Sequence, residues 1–236
     1  MYIAFPIAWE RSKVPGFAGH ISMPDFHGIS AQLSFSSVAA RFFTPQTGGA
    51  GATPSAPAGV FRIDHDEKYN QTFHLQYQPN KQLPWLGFNW RFDSGQVAGQ
   101  APYALTSGPA STVDLSKLTA DQEYQGGLYC GSQRATPSSR LPDFCPAAQF
   151  GSTLLSIPAP GTENDDHNPP RIRSRNLFDI VLGDDNLFHA SRYKWSAQFT
   201  VVNLTNQRAL FNFLSTFSGT HYVGPRSYTA QLGFHF

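Results

Sequence analysis

The chain has 236 residues and a formal net charge of +1; charged residues make up only 14 %, equal to the 14 % that are aromatic, and Phe alone accounts for 20 positions. Soluble domains carry about 25 % charged residues, so a charge-poor, aromatic-rich chain with negative mean hydropathy suggests strands with one apolar and one wet side. The balanced charge gives no electrostatic basis for a nucleic-acid partner. No apolar run approaches the roughly 18 residues of a transmembrane helix, so a membrane protein built this way must be a closed sheet.

In chain order, weak period-2 candidates lie at residues 1–9 and 17–23. Residues 31–42 set Leu33 and Phe35 against Gln32, Ser34 and Ser36, with the alternation fading after Ser37. Residues 71–78 set Phe73, Leu75 and Tyr77 against His74, Gln76 and Gln78; residues 85–93 set Leu86, Phe88, Trp90 and Phe92 against Gly87, Asn89, Arg91 and Asp93. Residues 176–183 give Phe178, Ile180 and Leu182 one face, and residues 193–203 do the same for Trp195, Ala197, Phe199 and Val201. The last segment, 226–236, is the cleanest: Tyr228, Ala230, Leu232, Phe234 and Phe236 alternate with Thr229, Gln231, Gly233 and His235. The sum is about eight strands, each near the span of a tilted membrane strand.

Placing the C-terminus on the periplasmic side assigns the connections in phase. Residues 24–30, 79–84 and 184–192 become short inner turns, and 43–70, 94–172 and 204–225 long outer loops, the asymmetry of outer-membrane barrels. The Gly-, Pro-, Ser- and Thr-rich stretch 94–173 reads as a long loop without strands of its own. It holds Cys130 and Cys145, a candidate disulfide in an exported loop, with two free thiols as the alternative.

Chemistry-bearing clusters are sparse. Asp64-His65-Asp66-Glu67 offers cation ligands, but consecutive residues of an extended segment point to opposite sides, so it reads as a solvated loop rim; Asp165-Asp166-His167 reads as a loop tip. Neither a nucleophile elbow nor a metal-binding helix motif is present, so no catalytic residue, metal or cofactor is expected. Asn89, Arg91, Asp93, Gln198, Thr200 and Gln231 are the lumen-facing candidates if their aromatic neighbours face lipid. Trp85, Trp90, Tyr193, Trp195 and Tyr228 suit interfacial girdles.

The segments FRIDHDEKYNQTFHLQYQP (61–79), FNWRFDSGQVAG (88–99), NLFDIVLGDDNLF (176–188) and the stretch from Lys194 to Phe236 resemble the C-terminal barrel of TonB-dependent outer-membrane receptors. The subtype it resembles is the long-looped acidobacterial group with a carboxypeptidase-regulatory-like N-terminal domain. The most specific parts are Asn203-Leu204-Thr205-Asn206, Phe217-Ser218-Gly219-Thr220-His221 and Pro225-Arg226. The resemblance implies energy-coupled uptake of a siderophore, oligosaccharide or similar solute across the bacterial outer membrane, through a plugged barrel of about 22 strands. Residues 1–236 then supply its C-terminal part, with no plug, coupling box or export signal in the sequence. The partners it implies are outer-membrane lipid, the barrel-insertion machinery, an extracellular solute, and the TonB-type complex acting through the missing N-terminal part. Tyr228, Leu232, Phe234 and Phe236 would form the closing strand and assembly signal. Two other readings stand beside it: a stand-alone small eight-stranded barrel acting as anchor or adhesin, and a soluble β-sandwich with a binding surface.

Overall fold

The computed structural model describes residues 8–48, 59–63, 66–99, 101–102, 111–215 and 219–236. The first strands are β1 (Ala8–Lys13), β2 (Gly16–Phe26), β3 (Ile29–Val38), β4 (Arg41–Gly48), β5 (Val60–Arg62), β6 (Asn70–Tyr77) and β7 (Trp85–Asp93). Short pieces follow: β8 (Thr112–Asp114), helix α1 (Ala120–Gln125), β9 (Leu128–Cys130), β10 (Gln133–Arg134), β11 (Phe144–Pro146), β12 (Phe150–Ser152), β13 (Leu155–Ser156) and β14 (Arg171–Ile172). The chain ends with β15 (Arg175–Asp184), β16 (Lys194–Val202), β17 (Leu210–Ser215), β18 (Gly219–Tyr222) and β19 (Ser227–His235). The protein is all-β, and its paired strands are antiparallel.

Seven strands make the main sheet, in the order β2-β3-β6-β7-β15-β16-β19, an up-and-down meander interrupted by insertions. Directly paired residues share a face. One row, Met23–Ala31–Leu75–Phe88–Ile180–Val201–Tyr228, crosses all seven strands and is apolar or aromatic throughout. A second, Phe26–Ile29–Tyr77–Leu86–Leu182–Phe199–Ala230, does the same. The row on the other side of the first, Ser22–Gln32–His74–Asn89–Asp179, is polar. The period-2 pattern of the sequence therefore sums to one apolar and one polar face, and on the apolar face Ile21, Leu182, Phe199 and Leu232 stay exposed.

The rows are not level with the strand ends. The Met23 row starts near the end of β2 and arrives at the beginning of β19, so the sheet is staggered, the shift falling between β6 and β16 while β3 and β6, and again β16 and β19, end level. A stagger of this kind accompanies the strand tilt of barrel walls. Among the described residues the sheet is nonetheless open: β2 and β19 are its edges and do not pair with each other. Of the strands expected from the sequence, 17–23, 71–78, 85–93, 176–183, 193–203 and 226–236 correspond to strands of this sheet. The segment 31–42 divides into β3 and β4 where its alternation fades, and β1 pairs with β4 outside the sheet. Residues 1–7 lie outside those described.

The connections alternate in length. At one end lie the short turns 27–28, 78–84 and 185–193. The tightest joins Phe26 to Ile29 through His27 and Gly28, both with positive φ (52° and 82°), as a type I′ hairpin turn requires. At the other end lie 39–69, 94–174 and 203–226.

The stretch 94–173 departs from the strand-free loop expected above. Its described residues form a folded cap with its own hydrophobic core, in which Val113, Leu115, Leu128, Leu155 and Ile172 are buried together with Leu210 and Phe213 from the next long connection. Its strands, such as β9 and β12, are two or three residues long, too short to carry a readable period. Cys130 and Cys145 are joined by a disulfide across this core, with Cα atoms 5.9 Å apart. Closing a stretch of 15 residues in sequence separation removes about 3 kcal/mol of unfolded-chain freedom in the loop-entropy account.

Candidate functional site

Two surfaces carry chemistry: the polar face of the main sheet, and the cap above it. On the polar face, Asn89 Oδ1 accepts from His74 Nδ1 (2.6 Å), and His20 Nδ1 meets Ser34 Oγ (3.1 Å). Gln198 lies directly opposite Gln231, Thr200 opposite Thr229, and Gln198 Nε2 donates to Thr200 Oγ1 at 3.1 Å. Asn89, Arg91, Gln198, Thr200 and Gln231 thus share one wet surface. Asp93 belongs to the same face but is buried, and its Oδ2 lies 2.8 Å from Arg175 Nε, so it serves as an ion-pair partner and not as an open lumen residue.

That pair is one of the ties between sheet and cap. Arg175, fully buried at the start of β15, donates from Nη1 to Leu210 O at 2.8 Å and stacks over the Phe211 ring at 4.9 Å. A second tie centres on Asp66, whose carboxylate accepts from Ala40 N (2.7 Å), Arg62 Nη1 (3.1 Å) and Arg171 Nη2 (2.7 Å). The solvated rim expected for the cluster around Asp66 is therefore wrong for this residue, which is 1 % exposed; residues 64 and 65 lie outside those described. The Asp165-Asp166-His167 tip is likewise engaged, since Asp166 pairs with Arg41 and Arg62. The signal available in the sequence was the concentration of arginines at 171, 173 and 175 in a chain with few charges.

Three carboxyls of the cap and its junction are pushed above their ordinary range. Burial comes first for all: Glu67 is raised by it and then by the Asp93 charge, and Glu123 by it against the Leu141 amide that donates to its Oε2 at 2.7 Å. Glu163 is pushed up to about 7 by burial and by the neighbouring Asp165. Each keeps its proton in the folded cap where the unfolded chain, near 4.5, has lost it. Their contribution to stability is complete below the unfolded value and is lost as pH rises through the folded one. The cap is expected to melt at a lower temperature at pH 8 than at pH 5, and Glu163→Gln to flatten that slope; melting curves across this window that rise with pH would contradict the assignment.

The cap surface holds a hollow of about 180 Å³ walled by Tyr129, Phe150, Pro158 and Pro160, with Arg173 at its rim. Arg173 is fixed there by donating from Nε to Leu155 O (3.1 Å) and from Nη2 to Ser152 O (2.9 Å). Aromatic walls beside an anchored guanidinium suit a small polar solute.

The specific motifs near the C-terminus have a structural role. Asn203, buried with φ 52°, receives Gln207 N at its Oδ1 (2.9 Å) and donates from Nδ2 to Gly224 O (2.9 Å), while its own N–H donates to Asp179 (2.8 Å). Asn206 accepts from Arg226 N at 3.0 Å. The exit of β16 and the entry of β19 are thereby tied into one turn. In the second motif, Thr220 Oγ1 accepts from Leu214 N (3.1 Å); Phe217 and Ser218 lie outside the described residues.

On the apolar face, Tyr228, Leu232 and Phe234 project from β19 beside Val201, Ala197 and Trp195, and Phe236 follows, 96 % exposed. Tyr193, Trp195, Phe234 and Phe236 form an aromatic group at the turn end, with ring centroids 5.0–6.1 Å apart. Trp90 also lies on this face and donates to Asn176 (2.9 Å). Trp85 does not join it. Its parity places it on the polar face, over the strand glycines Gly87 and Gly183, with Nε1 donating to Asp185 at 3.2 Å.

Comparison with protein-family models, curated proteins and solved structures finds no match to this chain.

Proposed function

We propose that this chain forms part of the wall and the outer cap of a bacterial outer-membrane barrel receptor that takes up a solute with energy supplied from the inner membrane. The observation that carries the reading is the apolar face of the main sheet: it runs unbroken across all seven strands, and many of its large side chains, among them Ile21, Leu86, Leu182, Phe199 and Leu232, are exposed while others on the central strands are half-buried. A sandwich would bury such a face under a second sheet; lipid is the partner that suits an apolar band ending in aromatic residues. The strands are mostly 8–11 residues long, and strands of about 9–11 residues tilted by about 45° span a bilayer core. The long connections then gather on the outer side as the solute-facing cap, and the polar face lines the lumen. The stand-alone eight-stranded barrel is the weaker alternative, because among the described residues the sheet has seven strands and open edges.

Single-tryptophan variants in vesicles containing brominated lipid test this directly. Fluorescence of Trp90 and Trp195 is expected to be quenched, and that of Trp85, on the opposite face, to be largely spared. Equal quenching of all three, or a chain that fails to float with vesicles, would sink the membrane assignment.

A further inference from the structure

The hollow on the cap surface takes its shape from a strand pair and a proline segment. Tyr129 of β9 is paired with Gly151 of β12, and its side chain lies across that glycine: a Cβ at position 151 would come within 2.4 Å of the Tyr129 hydroxyl. Phe150, just before the glycine, adds a second ring, and Pro158 and Pro160 add wall with fixed φ and no N–H to offer a ligand. Val113 and Leu155, which also line the hollow, belong to the buried core of the cap. The lining is therefore apolar, and much of it is held in place by the core beneath.

Arg173 is the charged group of that lining. Arg41, Arg62, Arg140, Arg171 and Arg175 each face a carboxylate, whereas Arg173 faces none among the described residues. Its Nε and Nη2 donate to the carbonyls of Leu155 and Ser152, which fix the guanidinium without neutralising it, and Nη1 bonds to no described residue. The nearby Ser152 hydroxyl is already engaged, since it donates to Gly126 O and accepts the amides of Leu154 and Leu155. A guanidinium held by backbone carbonyls, with donors left over, is a fork for a planar carboxylate. Space sets the rest of the ligand. An apolar cavity of about 150 Å³ accepts one benzene, and this hollow measures about 180 Å³.

We propose that the hollow binds a small aromatic acid, its single ring among Tyr129, Phe150 and the two prolines and its carboxylate on the free donors of Arg173. The role of that acid as the incoming solute rests on the receptor reading above; the binding itself does not. A neutral sugar would leave Arg173 without a counter-charge, and a bare anion would leave the rings uncovered.

The test uses the full chain in detergent micelles and in phosphatidylcholine vesicles, with benzoate as the probe and binding read by titration calorimetry. Saturable binding is expected, about tenfold or more tighter than that of benzamide, which lacks the charge, and of acetate, which lacks the ring. Arg173→Gln should weaken benzoate by a similar factor, and Arg173→Lys, which keeps the charge and loses the fork, should fall between. Ala159→Phe puts a ring into the hollow from an exposed position and should block benzoate with the guanidinium untouched, so it carries the test alone if Arg173→Gln loosens the cap. No saturable binding, equal affinity for benzamide, acetate or glucuronate, or an affinity unchanged by Ala159→Phe would each overturn the proposal. Flotation with vesicles is scored separately: a chain that binds benzoate in micelles but does not float keeps the site and refutes the membrane reading, and a chain that floats without binding does the reverse.

Discussion

Replacing Phe88 by Arg is expected to destabilise the vesicle-inserted protein by about 2–4 kcal/mol, the cost of a cation near the middle of the lipid-facing band. Phe88 sits near the middle of β7, the central strand of the main sheet, paired with Leu75 on one side and Ile180 on the other, its ring 6.0 Å from that of Phe178. The neighbouring strand supplies the control. Gln76 projects from the opposite face between Ser30 and Gly87, so Gln76→Arg should change stability by less than about 0.5 kcal/mol, as most open polar sites do. Depth gives a second contrast. Phe234 lies among the aromatic group at the turn end, where an introduced charge costs only about 0–1 kcal/mol. Urea unfolding in phosphatidylcholine vesicles reads all three. Equal losses for Phe88→Arg and Gln76→Arg would mean that neither face meets lipid.

The main sheet was legible in the sequence because half-exposed strands write their faces directly into the residue order. Phe73, Phe88 and Phe178 stand out against His74, Asn89 and Asp179 before any pairing is known, and their registers then bring like faces together. The alternation of long and short connections followed from strand direction alone. The cap was not legible, for two physical reasons. Its strands are too short to show a period, and its core is assembled from distant segments: Phe213 shares one buried cluster with residues about a hundred positions earlier, such as Val113 and Leu115. The clusters around Asp66 and Asp166 were misjudged for a related reason. A run of acidic residues looks solvated when the arginines that neutralise it, Arg62, Arg171 and Arg41, are separated from it in sequence or sit on another strand. Trp85 shows that parity outranks residue type. Its position in β7 places it with Gly87 and Asn89, and the small residues Gly87 and Gly183 give its ring room on the polar face.

Asp66→Ala is expected to cost about 3–5 kcal/mol, the range for removing one member of a buried charged group. The carboxylate, 1 % exposed, lies between the Arg62 and Arg171 guanidiniums and also takes the Ala40 amide. Its loss would leave Arg171 nearly buried and bonded to the carbonyls of residue 66 and Gly95 without a counter-charge, while Arg62 would retain Asp166. Asp66→Asn keeps an acceptor but loses the charge and should fall between the alanine variant and the wild type. Asp66→Ala/Arg171→Met should recover part of the loss, because it removes the stranded cation together with its partner. The location of the damage matters as much as its size. Asp66 joins the connection 39–69 to the cap through Arg171 and through Val97 N, which donates to Asp66 O at 3.1 Å. Limited proteolysis should therefore cut the variant in 39–69 and 94–174 while the strands of the main sheet stay protected. If the main sheet were lost with the cap, the two would be a single cooperative unit, and the cap would have to be regarded as part of the wall's folding core and not as a separate structure seated on its rim.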